Sequence, residues 1–214
     1  MTQKGGGIDM LDKQEKQKLV LETIKKRRST RRYEDLQVDS EILGSILEAG
    51  RYAPSGGNSQ SCHFIVIRRK ALLTELVETV QREFAKMEYD ENTYKSLVNS
   101  IRASKKGNYV FHYGAPTLVV VANQKDYGNA MADSACAIEN MMIMAAASEV
   151  GSCWINQLHW LDGNEEIRKI MEREGILLNE TICGALSLGY EKKSENPVAR
   201  KALERKGNKV TFVD

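Results

Sequence analysis

The sequence lacks the features that mark several classes of protein. No apolar run approaches the roughly 20 residues that a membrane-spanning helix needs, and residues 1–18 are too polar for a secretory signal. The charge is nearly balanced, with 31 Lys and Arg against 29 Asp and Glu, so no overall field favours nucleic acid or an anionic membrane. These absences predict an ordinary globular protein in the cytoplasm, without nucleic-acid or membrane partners.

Cysteine and histidine are also scarce. The chain has three histidines and four cysteines, and neither set shows zinc, CxxC or catalytic-triad spacing. We therefore expect no metal site, no covalent nucleophile, and buried reduced thiols at Cys62, Cys136, Cys153 and Cys183. A GxGxxG motif is absent, which disfavours a Rossmann domain.

A concentrated basic run stands out against this balanced composition. Six of the eight residues at positions 25–32 are Lys or Arg. Side chains alternate along an extended segment, so Arg27, Ser29 and Arg31 would share one face. Two guanidinium groups around a hydroxyl suit a phosphate monoester. Basic residues are equally common at an exposed helix C-terminus, so the run alone leaves both interpretations open.

A second distinctive stretch is Ala-Pro-Ser-Gly-Gly-Asn-Ser-Gln at positions 53–60, a loop by composition. Its two adjacent glycines allow the backbone to approach a flat ligand closely. The amides of Asn58 and Gln60 suit the donors and acceptors of a heterocycle. A plain surface loop is the alternative interpretation.

Apolar periodicity outlines the remaining elements. Helices are predicted over residues 14–26, from Asp39 or Ser40 to before Pro54, and over 70–87, 133–150 and 165–174. Strands are predicted over 63–67, 117–122, 151–155 and 181–188, with a further edge strand at 209–213. Helix 133–150 is apolar on nearly every side, which predicts burial within the chain or against a second subunit. The order of elements fits either an α/β or an α+β fold.

The basic run with its serine, the helix ending in Ala-Gly-Arg and the 53–60 loop follow one another as they do in the FMN-dependent nitroreductase family, which this sequence resembles. The segment Gly-Ser-Cys-Trp-Ile at 151–155 is similar to a strand of that family. The resemblance implies an α+β sandwich, with a central mixed β-sheet wrapped by helices, in an intertwined homodimer. It implies one domain at 13–214, with a variable lid at 88–113 and a C-terminal arm at 191–214. The three glycines at positions 5–7 predict a disordered tail at 1–12.

The resemblance also implies a site. The implied FMN contacts are Arg27, Arg28, Ser29, Arg31, Pro54, Ser55, Gly56, Asn58, Gln60, Trp154, Ile155, Asn156, Gln157 and Arg200. The implied substrate pocket includes Phe111 and His112, and no side chain is catalytic because the flavin N5 carries the chemistry. The sequence departs from the family at Ser61 and Cys62, where Pro-Trp is usual, and at Asn156 and Gln157, where a glycine or Glu-Gly is usual.

The implied function is reduction of a small-molecule electron acceptor. The family members use FMN and NADH or NADPH to reduce nitroaromatic, quinone-like or related electrophiles, by a ping-pong mechanism. Two alternatives stay open at this point: a flavin-binding carrier or redox sensor without turnover, and a specialised member such as a dehalogenase, flavin destructase or azoline oxidase.

Overall fold

The structure is a computed structural model that describes residues 11–192 and 204–213. Its contacts divide the chain into two units, residues 28–192 and residues 1–27 with 193–214. Residues 1–10 of the tail predicted at 1–12, and residues 193–203 and 214 of the arm predicted at 191–214, lie outside the described residues.

The smaller unit contains the first predicted helix, α1 (Lys13–Lys26). Asp12 accepts a hydrogen bond from the backbone N–H of Glu15 (2.8 Å), and the Glu15 carboxylate accepts one from the N–H of Asp12 (2.9 Å). This reciprocal capping box fixes the start of the helix. Residues 204–213 form neither helix nor strand, so the strand predicted at 209–213 is absent from this chain. A strand needs a hydrogen-bonding partner, and no described strand pairs with this segment.

The larger unit is built on a four-stranded sheet in the order β1-β2-β4-β3. All neighbours pair antiparallel, and the strands are β1 (His63–Ile67), β2 (Thr117–Gln124), β3 (Gly151–Ile155) and β4 (Glu180–Gly189). The parallel pairing expected of a mixed sheet is limited, among the described residues, to a bridge between Ser29 and Ser152.

Six further helices cover the two faces of this sheet. They are α2 (Ser40–Arg51), α3 (Lys70–Lys86), α4 (Lys95–Lys106), α5 (Ala130–Ala147), α6 (Gln157–Trp160) and α7 (Glu165–Arg173). Asp39 caps α2, as predicted, by accepting from the N–H groups of Glu41 and Ile42. The observed α+β architecture confirms the predicted fold class.

Strand β2 explains why helices lie on both faces. Leu118 and Val120 point into one cluster with Phe84 of α3, while Val119 points into a second cluster with Met141 of α5. Successive side chains of a strand face opposite sides, so a continuous apolar run must be covered on both. Each large side chain buried in these clusters contributes roughly 1.5–3 kcal/mol of transfer free energy.

Helix α5 is only partly covered by its own chain. It begins at Ala130 and ends at Ala147, about three residues earlier than predicted at each end. Met141 and Met142 are buried, whereas Met131 is 45% exposed and Cys136 is also exposed. The prediction that all four thiols are buried is confirmed for Cys153 and Cys183. It is wrong for Cys136, which lies on the outer face of α5, and Cys62 is only half-buried.

The described residues hold no helix long and apolar enough to cross a membrane. They also hold no group of three or more side chains arranged to bind a metal ion.

Candidate functional site

The basic run continues into an extended segment beside the sheet. The Thr30 N–H donates to the Ser152 carbonyl (2.8 Å), next to the bridge between Ser29 and Ser152. Thr30 is buried, whereas Ser29 and Arg31 on either side of it are exposed. The expected alternation is thus present at positions 29–31, where it puts a hydroxyl and a guanidinium on the same outward face.

A glycine lets this segment lie so close to the sheet. A Cβ atom at Gly151 would stand 2.8 Å from both Cγ2 and Oγ1 of Thr30. Carbon atoms pack at about 3.5–4.0 Å, so any side chain at position 151 would push Thr30 outward. The first residue of β3 therefore helps to set the position of Ser29 and Arg31.

Tyr113 orients Arg31, a contact that sequence reasoning missed. The guanidinium carbon lies 5.6 Å from the centre of the Tyr113 ring, within the range of a cation–π interaction. A hydrogen bond with the Tyr113 side chain is the main reason that the pKa of Arg31 is raised. The guanidinium is therefore charged and held beside Ser29. The only signal in the sequence was the position of Tyr113 directly after Phe111 and His112.

The other three predicted phosphate contacts lie in different parts of the chain. Arg28 is half-buried in the same unit as Ser29 and Arg31. Arg27 belongs to the smaller unit, where its N–H donates to Thr23 at the end of α1 (3.0 Å). Arg200 lies outside the described residues. A role for Arg27 or Arg200 stays a prediction.

The predicted ring-binding loop is a turn with an unusual backbone. Residues 56–58 form one turn of 3₁₀ helix, and the N–H of Gln60 donates to the Ser55 hydroxyl (3.1 Å). Gly57, Asn58 and Gln60 have φ values of +59°, +54° and +50°. The left-handed region is sparsely populated by residues other than glycine. The loop exposes the amide side chains of Asn58 and Gln60.

The segment after β3 presents backbone more than side chains. The Trp154 indole N–H donates to Asn156 Oδ1 (2.6 Å), and Ile155 is buried. Gln157 is buried as well, with its Nε2 donating to the Tyr109 hydroxyl (2.8 Å). A ligand on this surface would therefore meet the main chain of Ile155 and Gln157 rather than their side chains.

These two stretches lie at opposite edges of the sheet. The loop leads into β1, and Trp154 and Asn156 stand at the end of β3, with β2 and β4 between them. Neighbouring strands are about 4.8 Å apart, so the two edges are separated by roughly 14 Å. The structure does not bring the two predicted ring-binding stretches of one chain together.

Phe111 and His112, the predicted substrate-pocket residues, are both buried. Phe111 has no exposed surface and packs in the core between α3 and the sheet, so a substrate could reach its ring only after rearrangement. His112 lines a cavity of about 340 Å³ with Tyr33, Arg68 and Pro116. Burial lowers the pKa of His112 to about 4, so the imidazole is neutral at pH 7 and is not a general acid there.

Cys62, one of the departures from the family pattern, lies beside the loop. It lines a second cavity, of about 160 Å³, with Ser55, Gln60 and Asp133. Burial raises the pKa of the Cys62 thiol, and Ser134 Oγ lies 3.7 Å from its sulfur. The thiol form predominates at neutral pH, which makes Cys62 a poor nucleophile.

Comparison with known proteins adds three relatives and a family. The model of the nitroreductase family matches residues 24–190. A nitroreductase with bound FMN from Bacteroides fragilis NCTC 9343 is 37% identical, with a TM-score of 0.78 over 91% of this chain and 98% of that one. A protein of Archaeoglobus fulgidus with the provisional name NADH dehydrogenase/NAD(P)H nitroreductase is 28% identical over 82% of this chain and 87% of its own. A 4-nitrobenzoate reductase of Nocardioides sp. (strain LMS-CY) is 26% identical over 89% and 88%.

Proposed function

The chain belongs to the nitroreductase family, and on this premise we propose that it is an FMN-dependent oxidoreductase. It uses NADH or NADPH to reduce nitroaromatic, quinone-like or related electrophilic acceptors by a ping-pong mechanism. The observation that carries the proposal is the outward-facing pair Ser29 and Arg31, held beside β3 in a relative of an FMN-bound nitroreductase.

The donor set of this surface fits a phosphate-bearing cofactor. A hydroxyl at Ser29 and a charged guanidinium at Arg31 match the oxygens of a phosphate monoester. Tyr113 already holds the guanidinium, so less conformational entropy is lost when a phosphate binds. Arg28 lies in the same segment, and Arg27 and Arg200 are the further phosphate contacts that the family pattern predicts.

Bound FMN would supply a centre that accepts hydride from a nicotinamide and passes reducing equivalents to an acceptor. The protein's part is to bind and orient. The exposed amides of Asn58 and Gln60 would hydrogen-bond the heteroatoms of the ring. The main chain at 155–157 of a second copy would line the other edge of the ring. Donors fixed before reaction stabilise negative charge that develops during it, at no cost in reorganisation.

No side chain is required as a general acid or nucleophile. His112 is buried with its pKa lowered to about 4, and burial raises the pKa values of the Cys62 and Cys183 thiols. These groups are in the wrong state for acid–base or thiolate chemistry at neutral pH. The protons that the reaction needs would then come from solvent.

We further propose that the functional unit is a homodimer. Within one chain, the ring-binding loop lies at the β1 edge of the sheet and Trp154 and Asn156 at the β3 edge. These two edges are roughly 14 Å apart. A second copy would bring its loop to the other chain's β3 edge. The exposed outer face of α5, including Met131, supplies apolar surface for the contact.

Steady-state kinetics test the proposed reaction. With holoprotein, double-reciprocal plots against NADH at several 4-nitrobenzoate concentrations should be parallel, because both substrates use one pocket in turn. Intersecting lines would contradict the ping-pong mechanism. Light scattering at micromolar concentration should give the mass of two chains, and a monomer with full flavin occupancy would exclude the shared site.

A further inference from the structure

A buried carboxylate holds the loop that presents Asn58 and Gln60. Asp133, in the first turn of α5, is 6% exposed. Its two oxygens accept from the backbone N–H of Gly56 at 3.2 Å and 3.1 Å. An N–H bound to a carboxylate is a charge-assisted hydrogen bond, the stronger kind in proteins. Asp133 therefore binds the main chain of Gly56, the first residue of the 3₁₀ turn.

Tyr127 closes the same contact from the other side. Its hydroxyl lies 2.8 Å from Asp133 Oδ2 and 3.1 Å from the Gly56 carbonyl, and it accepts from Ser59 Oγ at 3.3 Å. Both polar groups of the Gly56 main chain are therefore held by the β2–α5 connection and α5. The hydroxyl has a single hydrogen, which it shares between the carboxylate and the carbonyl.

Gly56 lies close to side chains of the β2–α5 connection. A Cβ atom there would stand 2.2 Å from Asn129 Nδ2 and 2.6 Å from the Tyr127 hydroxyl. The residues that follow carry positive φ values, including the non-glycine residues Asn58 and Gln60. Such a backbone persists only where surrounding contacts over-determine it. The Asp133 and Tyr127 contacts do so from outside the loop, in addition to the Ser55–Gln60 contact within it.

We propose that Asp133 and Tyr127 are positioning residues for the flavin-binding loop, which they lock in the shape that directs Asn58 and Gln60 outward. This inference rests on the proposed function. It predicts that loss of either side chain weakens binding of the isoalloxazine ring, because the loop must then be ordered when the ligand binds.

The test is titration of apoprotein variants with FMN and with riboflavin. Asp133→Ala and Tyr127→Phe should each raise the Kd for both ligands about tenfold or more, since the loop is expected to meet the ring and not the phosphate. The double variant should lose less binding free energy than the sum of the two single losses, because the residues act through one hydrogen-bond network. Asp133→Asn keeps an oxygen for the Gly56 N–H and should recover most of the affinity.

Glu83→Ala is the matched control. Glu83 is a carboxylate of similar burial, 7% exposed, that is held by Lys86, Arg82 and Asn164 far from the loop in sequence. It should lower the melting temperature but leave both Kd values unchanged. If Asp133→Ala and Tyr127→Phe bind both ligands as the wild type does, the positioning role is refuted. If the wild type itself binds no flavin, the proposed function fails instead, and the two outcomes are distinct.

Discussion

Replacing Arg31 by alanine tests whether the basic run recognises a phosphate. The side chain is exposed next to Ser29, and its guanidinium stacks 5.6 Å from the Tyr113 ring centre. Arg31→Ala removes one cation and its hydrogen-bond donors from the proposed phosphate site. It leaves the ring-binding loop and the segment after β3 unchanged.

The size of the effect follows from the interaction that is lost. A hydrogen bond to a charged group is worth about 1.5–3 kcal/mol, and each 1.4 kcal/mol is a factor of ten in Kd. Arg31 is exposed, so solvent screening favours the lower end. FMN affinity should fall about tenfold, while riboflavin, which has no phosphate, should change less than about threefold on the same basis. Loss of the contact with Tyr113 should cost roughly 0.5–1 kcal/mol of stability.

Arg32→Ala is the matched control for Arg31→Ala. It removes the same charge from the next position, where the alternation of an extended segment turns the side chain away. Isothermal titration of both apoprotein variants with both ligands gives the comparison. The reasoning is refuted if FMN and riboflavin weaken equally in Arg31→Ala, or if Arg32→Ala weakens FMN binding as much as Arg31→Ala does.

Two further predictions concern stability. Burial lowers the pKa of His112 to about 4, so its contribution to stability is complete above pH 6.5 and is lost as the pH falls towards 4. The free energy of unfolding in urea should be about 2–3 kcal/mol lower at pH 4.5 than at pH 7, and this His112-dependent decrease should be absent from His112→Gln. An equal decrease in both proteins would assign the effect to other groups. Gly151→Ala should cost about 1–3 kcal/mol by over-packing, because its Cβ would stand 2.8 Å from Thr30. Gly44→Ala, in α2 with nothing within 4 Å, should instead stabilise by roughly 0.5–1 kcal/mol, and thermal unfolding that showed the same sign for both would contradict this account.

Local signals in the sequence were enough to define most of the fold. Strands β1 and β3 begin and end where predicted, because each is a short apolar run with polar or loop-forming residues on both sides. Asp39 was recognisable as a helix cap. The start of α5 was missed because its first turn, from Ala130, precedes the acidic residue that resembled a helix start. The carboxylate of that residue, Asp133, does not cap the helix but accepts a hydrogen bond from the backbone N–H of Gly56.

The site was less predictable, because its geometry depends on contacts between distant parts of the chain. Gln157 is held by Tyr109, 48 residues earlier, and nothing near either residue indicates the pair. The burial of Phe111 likewise results from the packing of α3 on the sheet. Family resemblance indicated which stretches to consider as a site, whereas the orientation of each side chain came from tertiary packing.

The most direct test of the central claim is the absorbance spectrum of the purified protein, reconstituted with FMN and then treated anaerobically with NADH or NADPH. The account predicts the two absorption bands of bound flavin, their loss on addition of an equivalent of reductant, and their return when a nitroaromatic acceptor is added. A protein that binds no FMN, or whose flavin bands persist with both reductants, would contradict it.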